Sequence, residues 1–239
     1  MVKLYDNPQL RLYVSSKSGE VTPLYQAVVR DGADPNEPDD YGLTPMYHAA
    51  GLSDPTPLRL LLAHGGHHTP EWASQLPLGN AVIHGCVANV AALLFAGADP
   101  KATTNGDPVP ALQRAIAKYR SDVVSLLLDA GADACQPDGD GSHALHTLAA
   151  FDLSEPSHAH AEAKKILRTL LYHPASTADL HAGNGDGLKP SEIAAACGNH
   201  LLVTLMDDFA GKEGCNLSGV PGFALPWAPA ANDVGVYGT

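Results

Sequence analysis

The sequence predicts an all-α protein, a solenoid of stacked helix-turn-helix units joined by hairpin loops and followed by a Gly/Pro-rich C-terminal tail. Three observations point there. Gly32, Gly65, Gly97 and Gly131 recur in steps of 33, 32 and 34 residues, three of them followed by Ala-Asp. A helix-opening signal lies 21 residues before the later glycines, as in Thr44-Pro45-Met46-Tyr47-His48-Ala49-Ala50 before Gly65. Aliphatic runs such as Leu58 to Leu62, Val90 to Leu94 and Val123 to Leu128 lead into each glycine. Self-similarity at a fixed period near 33 marks a repeat architecture, in which each unit buries its apolar face only against its neighbours.

Physical chemistry accounts for each landmark. Thr44 can cap the first helix of its unit, and Pro45 suits the first helical position, where an N–H would have no partner. Ala49 and Ala50 let paired helices approach closely. The second helix then presents one apolar stripe to its partner and another to the next unit. A glycine ends it in the left-handed conformation, and Asp39-Asp40-Tyr41-Gly42 supplies turn residues beyond.

Six units are expected, at about 5–36, 37–69, 70–100, 101–134, 135–182 and 183–209. The first is atypical, with short helices over Asn7 to Ser18 and Val21 to Arg30. In the third and fourth, Leu76-Pro77-Leu78-Gly79-Asn80 and Pro110-Ala111-Leu112-Gln113-Arg114 stand in the opening position. Gly66-His67-His68 after the second unit lacks turn residues, which predicts a deformed hairpin. The fifth holds an insertion, Asp152 to His158, with Ser157 as a cap for a helix over His158 to Leu171, and it has lost its Gly-Ala-Asp. Glycines and prolines across 210–239 make a helix there unfavourable. Phe223, Leu225, Trp227 and Tyr237 in that stretch are costly to expose, so the tail is expected to pack on the stack.

These landmarks resemble the ankyrin repeat family over residues 5 to 209, because the period and the T-P-L-H-x-A-A-like opening agree in phase. The resemblance implies partner binding through the hairpin tips and the groove face of the first helices. Carried over position by position, the groove face comprises His48, Leu52, Asn80, Ile83, His84, Arg114 and Lys118. The tips comprise Asn36, Glu37, Asp39, Asp40, Tyr41, Asn105, Asp107, Asp138 and Asp140. Trp72 joins Tyr41, Tyr47 and Arg114 as a candidate anchor, since interface energy concentrates in Tyr, Trp and Arg. The same resemblance gives His146, in the T-P-L-H histidine place, a structural bond to neighbouring backbone.

Composition narrows the function. Against 14 basic residues stand 26 acidic ones, a formal charge of −12. Such a chain repels the phosphate backbone and an anionic membrane surface, so neither nucleic acid nor membrane is an expected partner. Asp6, Asn7, Pro8 and Arg11 stand where a signal peptide needs an apolar stretch. Cys86, Cys135, Cys197 and Cys215 form no C-x-x-C pair. A cytoplasmic location is therefore expected. The twelve histidines invite a metal reading, densest at His64, His67 and His68. No recognised zinc spacing accompanies them, however, and His158 and His160 diverge at a spacing of two. Asp138-Gly139-Asp140-Gly141 resembles part of a calcium loop but lacks the closing Glu. It reads instead as a hairpin turn in register with Asp39 to Gly42.

No enzyme, metal site or cofactor is expected. The expectation is a monomeric protein–protein interaction module, in a narrower form a bacterial effector or toxin-neutralising protein. The alternative is a metal-binding or enzymatic protein that uses its histidine clusters.

Overall fold

The computed structural model describes residues 7–67, 76–84, 86–103, 108–151 and 158–213. These residues contain helices and turns, and no strand. Each expected segment holds two helices. They are α1 (Pro8–Ser18) with α2 (Val21–Tyr25), α3 (Pro45–Ala50) with α4 (Thr56–Ala63), and α5 (Pro77–His84) with α6 (Val87–Phe95). There follow α7 (Ala111–Ala117) with α8 (Ser121–Asp129), α9 (Ala144–Ala149) with α10 (His158–Tyr172), and α11 (Pro190–Ala196) with α12 (His200–Glu213). A π-helical turn, Gln26–Arg30, extends α2.

Contacts run between sequential neighbours. The first helices touch in the order α1, α3, α5, α7, α9, α11, each against the next. Among the second helices, α2 packs on α4, and α8 on both α6 and α10. Helices of six to nine residues are too short to hold their shape in isolation, so burial between pairs must hold them. Leu58, Leu61, Leu93, Leu112, Ile116, Leu127, Leu128, Leu145 and Leu148 are fully buried in one continuous apolar cluster.

Local chemistry sets the helix ends. Asn7 accepts from the Gln9 N–H at 2.9 Å, and Thr44 from the Tyr47 N–H at 3.1 Å, each just before a proline-opened helix. Gly32, Gly65, Gly97 and Gly131 all adopt positive φ, between 69° and 94°. Next to them the N–H groups of Ala98 and Ala132 close back on the carbonyls of Leu93 and Leu127. Tyr119 takes φ 55° at the end of α7, where Gly19 and Gly198 serve α1 and α11. A left-handed non-glycine residue costs about 1–2 kcal/mol. Stacking of the Tyr119 ring on Phe151, with centroids 4.5 Å apart, returns about 0.5–1.5 kcal/mol.

Two expectations need correction. The fifth unit keeps the aspartate of the turn signature: Asp179 accepts from the His181 N–H at 2.7 Å, as Asp34, Asp99 and Asp133 accept from the residue two ahead. Only the glycine is replaced. Glycine at 211 also does not stop the last helix, which runs on to Glu213. Packing of Phe209 on Tyr172, at 4.8 Å between centroids, and of Ala210 on the core outweighs a glycine penalty of about 1 kcal/mol. The expected tail packing, the Ser157 cap and most of the Gly66 hairpin lie outside the described residues. Among the described residues no helix is long and apolar enough to cross a membrane.

The hairpins over 138–141 and 184–187 meet backbone to backbone, with the Gly185 N–H donating to the Asp140 carbonyl at 3.2 Å. A Cβ on Gly141 would sit 2.7 Å from the Gly185 nitrogen, whereas one on Gly187, at a similar φ of 77°, would meet nothing within 4 Å. Gly187→Ala should therefore cost about 1 kcal/mol from backbone strain alone, and Gly141→Ala clearly more. Urea unfolding of the two variants, compared at equal pH, checks the ordering.

Candidate functional site

The hairpin tips are built by side chains that fold back on their own backbone. The Oδ1 of Asp39 accepts from the N–H groups of Tyr41 and Leu43, both at 3.0 Å. That of Asp138 accepts from Asp140 and Ser142 at 3.0 and 2.9 Å. The Oδ1 of Asn184 repeats the pattern on Asp186 and Leu188. Such Asx turns fix the loop together with a backbone bond across it, from the N–H of Asp39, Asp138 and Asn184 to the carbonyls of Leu43, Ser142 and Leu188. They leave Tyr41 projecting at 80% exposure, with Asp40 and Asp140 also exposed. Asp39 and Asp138 thus form the tips and are themselves half-buried. Asn36 is half-buried too, its amide donating to the Gly65 carbonyl and accepting from the His67 N–H. It braces one unit against the next.

The first-helix row carries a second set of braces. Gln113 is 2% exposed. It donates to the Ser142 carbonyl at 2.7 Å and to the Gln136 carbonyl at 3.1 Å. His146, one unit further, does the equivalent job: its Nε2 donates to the Leu188 carbonyl at 3.0 Å, and its Nδ1 accepts from the His143 N–H at 3.1 Å. The matching residue in the third unit is Gly79, which has no side chain to reach across. A shallow cleft opens there, between Tyr47, Leu76, Leu78, Ile83, Val109 and Arg114. Arg114 closes part of it by donating from Nε to the Val109 carbonyl at 3.2 Å. Asn80 turns the other way and donates to the Tyr47 carbonyl at 2.7 Å.

Charge in this region is organised around Asp39. Its Oδ2 lies 2.9 Å from His48 Nε2 and 3.5 Å from Lys17 Nζ, joining the first two units. Burial raises the Asp39 carboxyl, but bonds from His48 and from the backbone of Leu43 and Tyr41 together hold it below the usual carboxylate range. Burial lowers the His48 imidazole, outweighing the bond from Asp39. The pair is therefore a neutral Nε2–H donating to a carboxylate. Burial likewise lowers His146, against the raising effect of its bond to Leu188.

Among the expected contact residues, Asp40, Tyr41, His84, Lys118 and Asp140 stand exposed. Tyr47, His48 and Arg114 are half-buried beside or near the cleft. Asn80, expected on the groove surface, is instead 8% exposed and part of a brace. Once buried, its amide is committed to the Tyr47 carbonyl. Trp72, Asn105 and Asp107 lie outside the described residues. Gln113, Asn89 and Gly79 were missed. Asn89 is fully buried and donates to the carbonyls of Ala50 and Leu52 at 3.0 and 2.9 Å, from α6 to the end of α3. An Asn inside the apolar run Val87 to Leu94 was the available sign. Among the described residues no three His, Cys, Asp or Glu side chains are grouped to hold a metal ion, and His68 lies outside them.

Compared with known proteins, the chain matches no family model and no curated sequence.

Both lowered histidines set a pH dependence. The unfolded chain takes up protons near pH 6.5 that the folded chain refuses, so their contribution is complete above that value and is lost as pH falls below it. Urea midpoints should drop between pH 7.5 and pH 5 by more than in His146→Gln, which keeps a donor and an acceptor but does not titrate.

Proposed function

We propose that the chain is an ankyrin-type solenoid and works as a protein–protein interaction module. The solenoid reading is supported by the recurrent left-handed glycines, the three matching Asx turns and the row of first helices in sequential contact. The observation that carries the binding reading is Tyr41, held on a braced tip with four-fifths of its surface in water. An aromatic ring kept exposed on a rigid loop is a hydrophobic loss to the free protein and a ready anchor for a partner.

The partner surface runs from the tip of the first hairpin to the exposed side of the first-helix row. Ile83, His84 and Lys118 lie on that row, and the cleft over Gly79 sits at its middle. Bonds within the unit fix both parts, so little ordering remains to oppose association. Partner identity, a cytoplasmic location, and an effector or toxin-neutralising role are separate proposals that this surface permits.

The test is affinity capture from an extract of the source organism, with identification by mass spectrometry. The double variant Tyr41→Ala, Arg114→Ala should lose the captured protein by about tenfold or more, while its thermal unfolding shifts by only a few degrees. Undiminished capture by the folded double variant would remove this face as the binding surface.

A further inference from the structure

The acidic residues of this chain are distributed unevenly. Helices α1, α3, α5, α7 and α9 contain no Asp or Glu at all, in a protein with 26 acidic residues and 14 basic ones. The same row carries Lys17, His84, Arg114 and, at the cap of α7, Lys118. Carboxylates stand instead on α8 (Asp122, Asp129), on α10 (Glu162), on α11 (Glu192), on α12 (Asp207, Asp208) and in the hairpins, and α2, α4 and α6 carry none. From α5 to α7 the first-helix row thus presents His84, Arg114 and Lys118 and no carboxylate of its own helices.

In that part of the row the cleft over Gly79 is lined mainly by apolar side chains, with the Arg114 guanidinium in its wall. Its carbonyl frame corresponds to the one next door. Val109 and Ala102 stand one unit before Ser142 and Gln136, whose carbonyls Gln113 bonds. Among the described residues a Cβ placed on Gly79 would meet only the Arg114 Nε, at 4.0 Å. Arg114 bonds the Val109 carbonyl from there and fills part of the space that a side chain takes in the next unit. Lys118 lies one helical turn beyond Arg114, on the same face.

We infer that this part of the row binds an acidic segment of a partner protein, which seats one bulky apolar side chain in the Gly79 cleft and lays its carboxylates along Lys118, Arg114 and His84. The inference rests on the interaction-module reading and gives its partner a chemistry. Opposite charge steers the segment to these residues and excludes basic partners. The apolar side chain supplies the burial that fixes its register.

Short fluorescein-labelled peptides of Asp and Glu provide the probe, one with a central Phe, one with Gly in that place, and one with the acids replaced by Lys. Fluorescence anisotropy against the full chain should show saturable, salt-sensitive binding of the acidic Phe peptide. Binding should be about tenfold weaker for the Gly peptide and absent for the Lys peptide.

Gly79→Gln is the decisive variant, because Gln113 shows that a glutamine fits the equivalent place. It removes a helical glycine and should keep or raise the melting temperature, yet weaken the acidic Phe peptide by about tenfold. Lys118→Glu should weaken it and flatten the salt dependence. The proposal is overturned if the Phe and Gly peptides bind alike, if Gly79→Gln leaves affinity unchanged, if the Lys peptide binds as well, or if no peptide saturates. The same variants carried through affinity capture separate the two readings. Normal capture by Gly79→Gln with loss in the Tyr41→Ala, Arg114→Ala pair discards the cleft and leaves the module, and undiminished capture by both discards the two together.

Discussion

A pair of helices only two turns long has more apolar surface than it can hide in itself, and that shortage governs everything else in this molecule. Leu112 and Ile116 on α7, and Val124 and Leu128 on α8, are fully enclosed because a neighbouring pair packs against them. Burial of this kind draws backbone carbonyls at the junctions away from water, most fully at Ala50. Each such group left without a partner would cost about 1–3 kcal/mol. The junctions are accordingly crossed by side-chain amides and imidazoles: Asn36, Asn80, Asn89, Gln113, His146 and Asn199 all donate to a carbonyl of an adjoining unit.

These braces explain why polarity is a poor guide to the functional surface here. Asn80 and Asn36 have the residue type of a contact and the position of a contact, but their amides are committed to the stack. Asp39 and Asp138 shape the tips from within. Side chains left on the outside are fewer, with Tyr41, Asp40 and Asp140 exposed at the hairpin tips and His84 and Lys118 on the first-helix row.

Gly79 illustrates how a departure from regularity is better evidence than regularity itself. At the same place Gln113 and His146 tie their units to the next. A glycine there gives up the tie and weakens its helix, and the Arg114 Nε takes the Val109 carbonyl beside it. Tyr119 is the converse case. It departs from the glycine used elsewhere, and the Phe151 ring beside it supplies the compensation.

What the sequence by itself determined is the spacing: glycines, helix-opening prolines and aliphatic runs in step, because backbone conformation and apolar periodicity are local properties that residue types encode directly. It also determined the turn at Asp138 to Gly141. Only the tertiary structure decided which polar side chains are buried and which are available, because that depends on carbonyls 23 to 42 residues distant, such as those that Gln113 and His146 reach. The continuation of α12 through Gly211 and the opening at Gly79 have the same origin. Both are set by what a neighbouring element places beside the residue, and no local pattern records that.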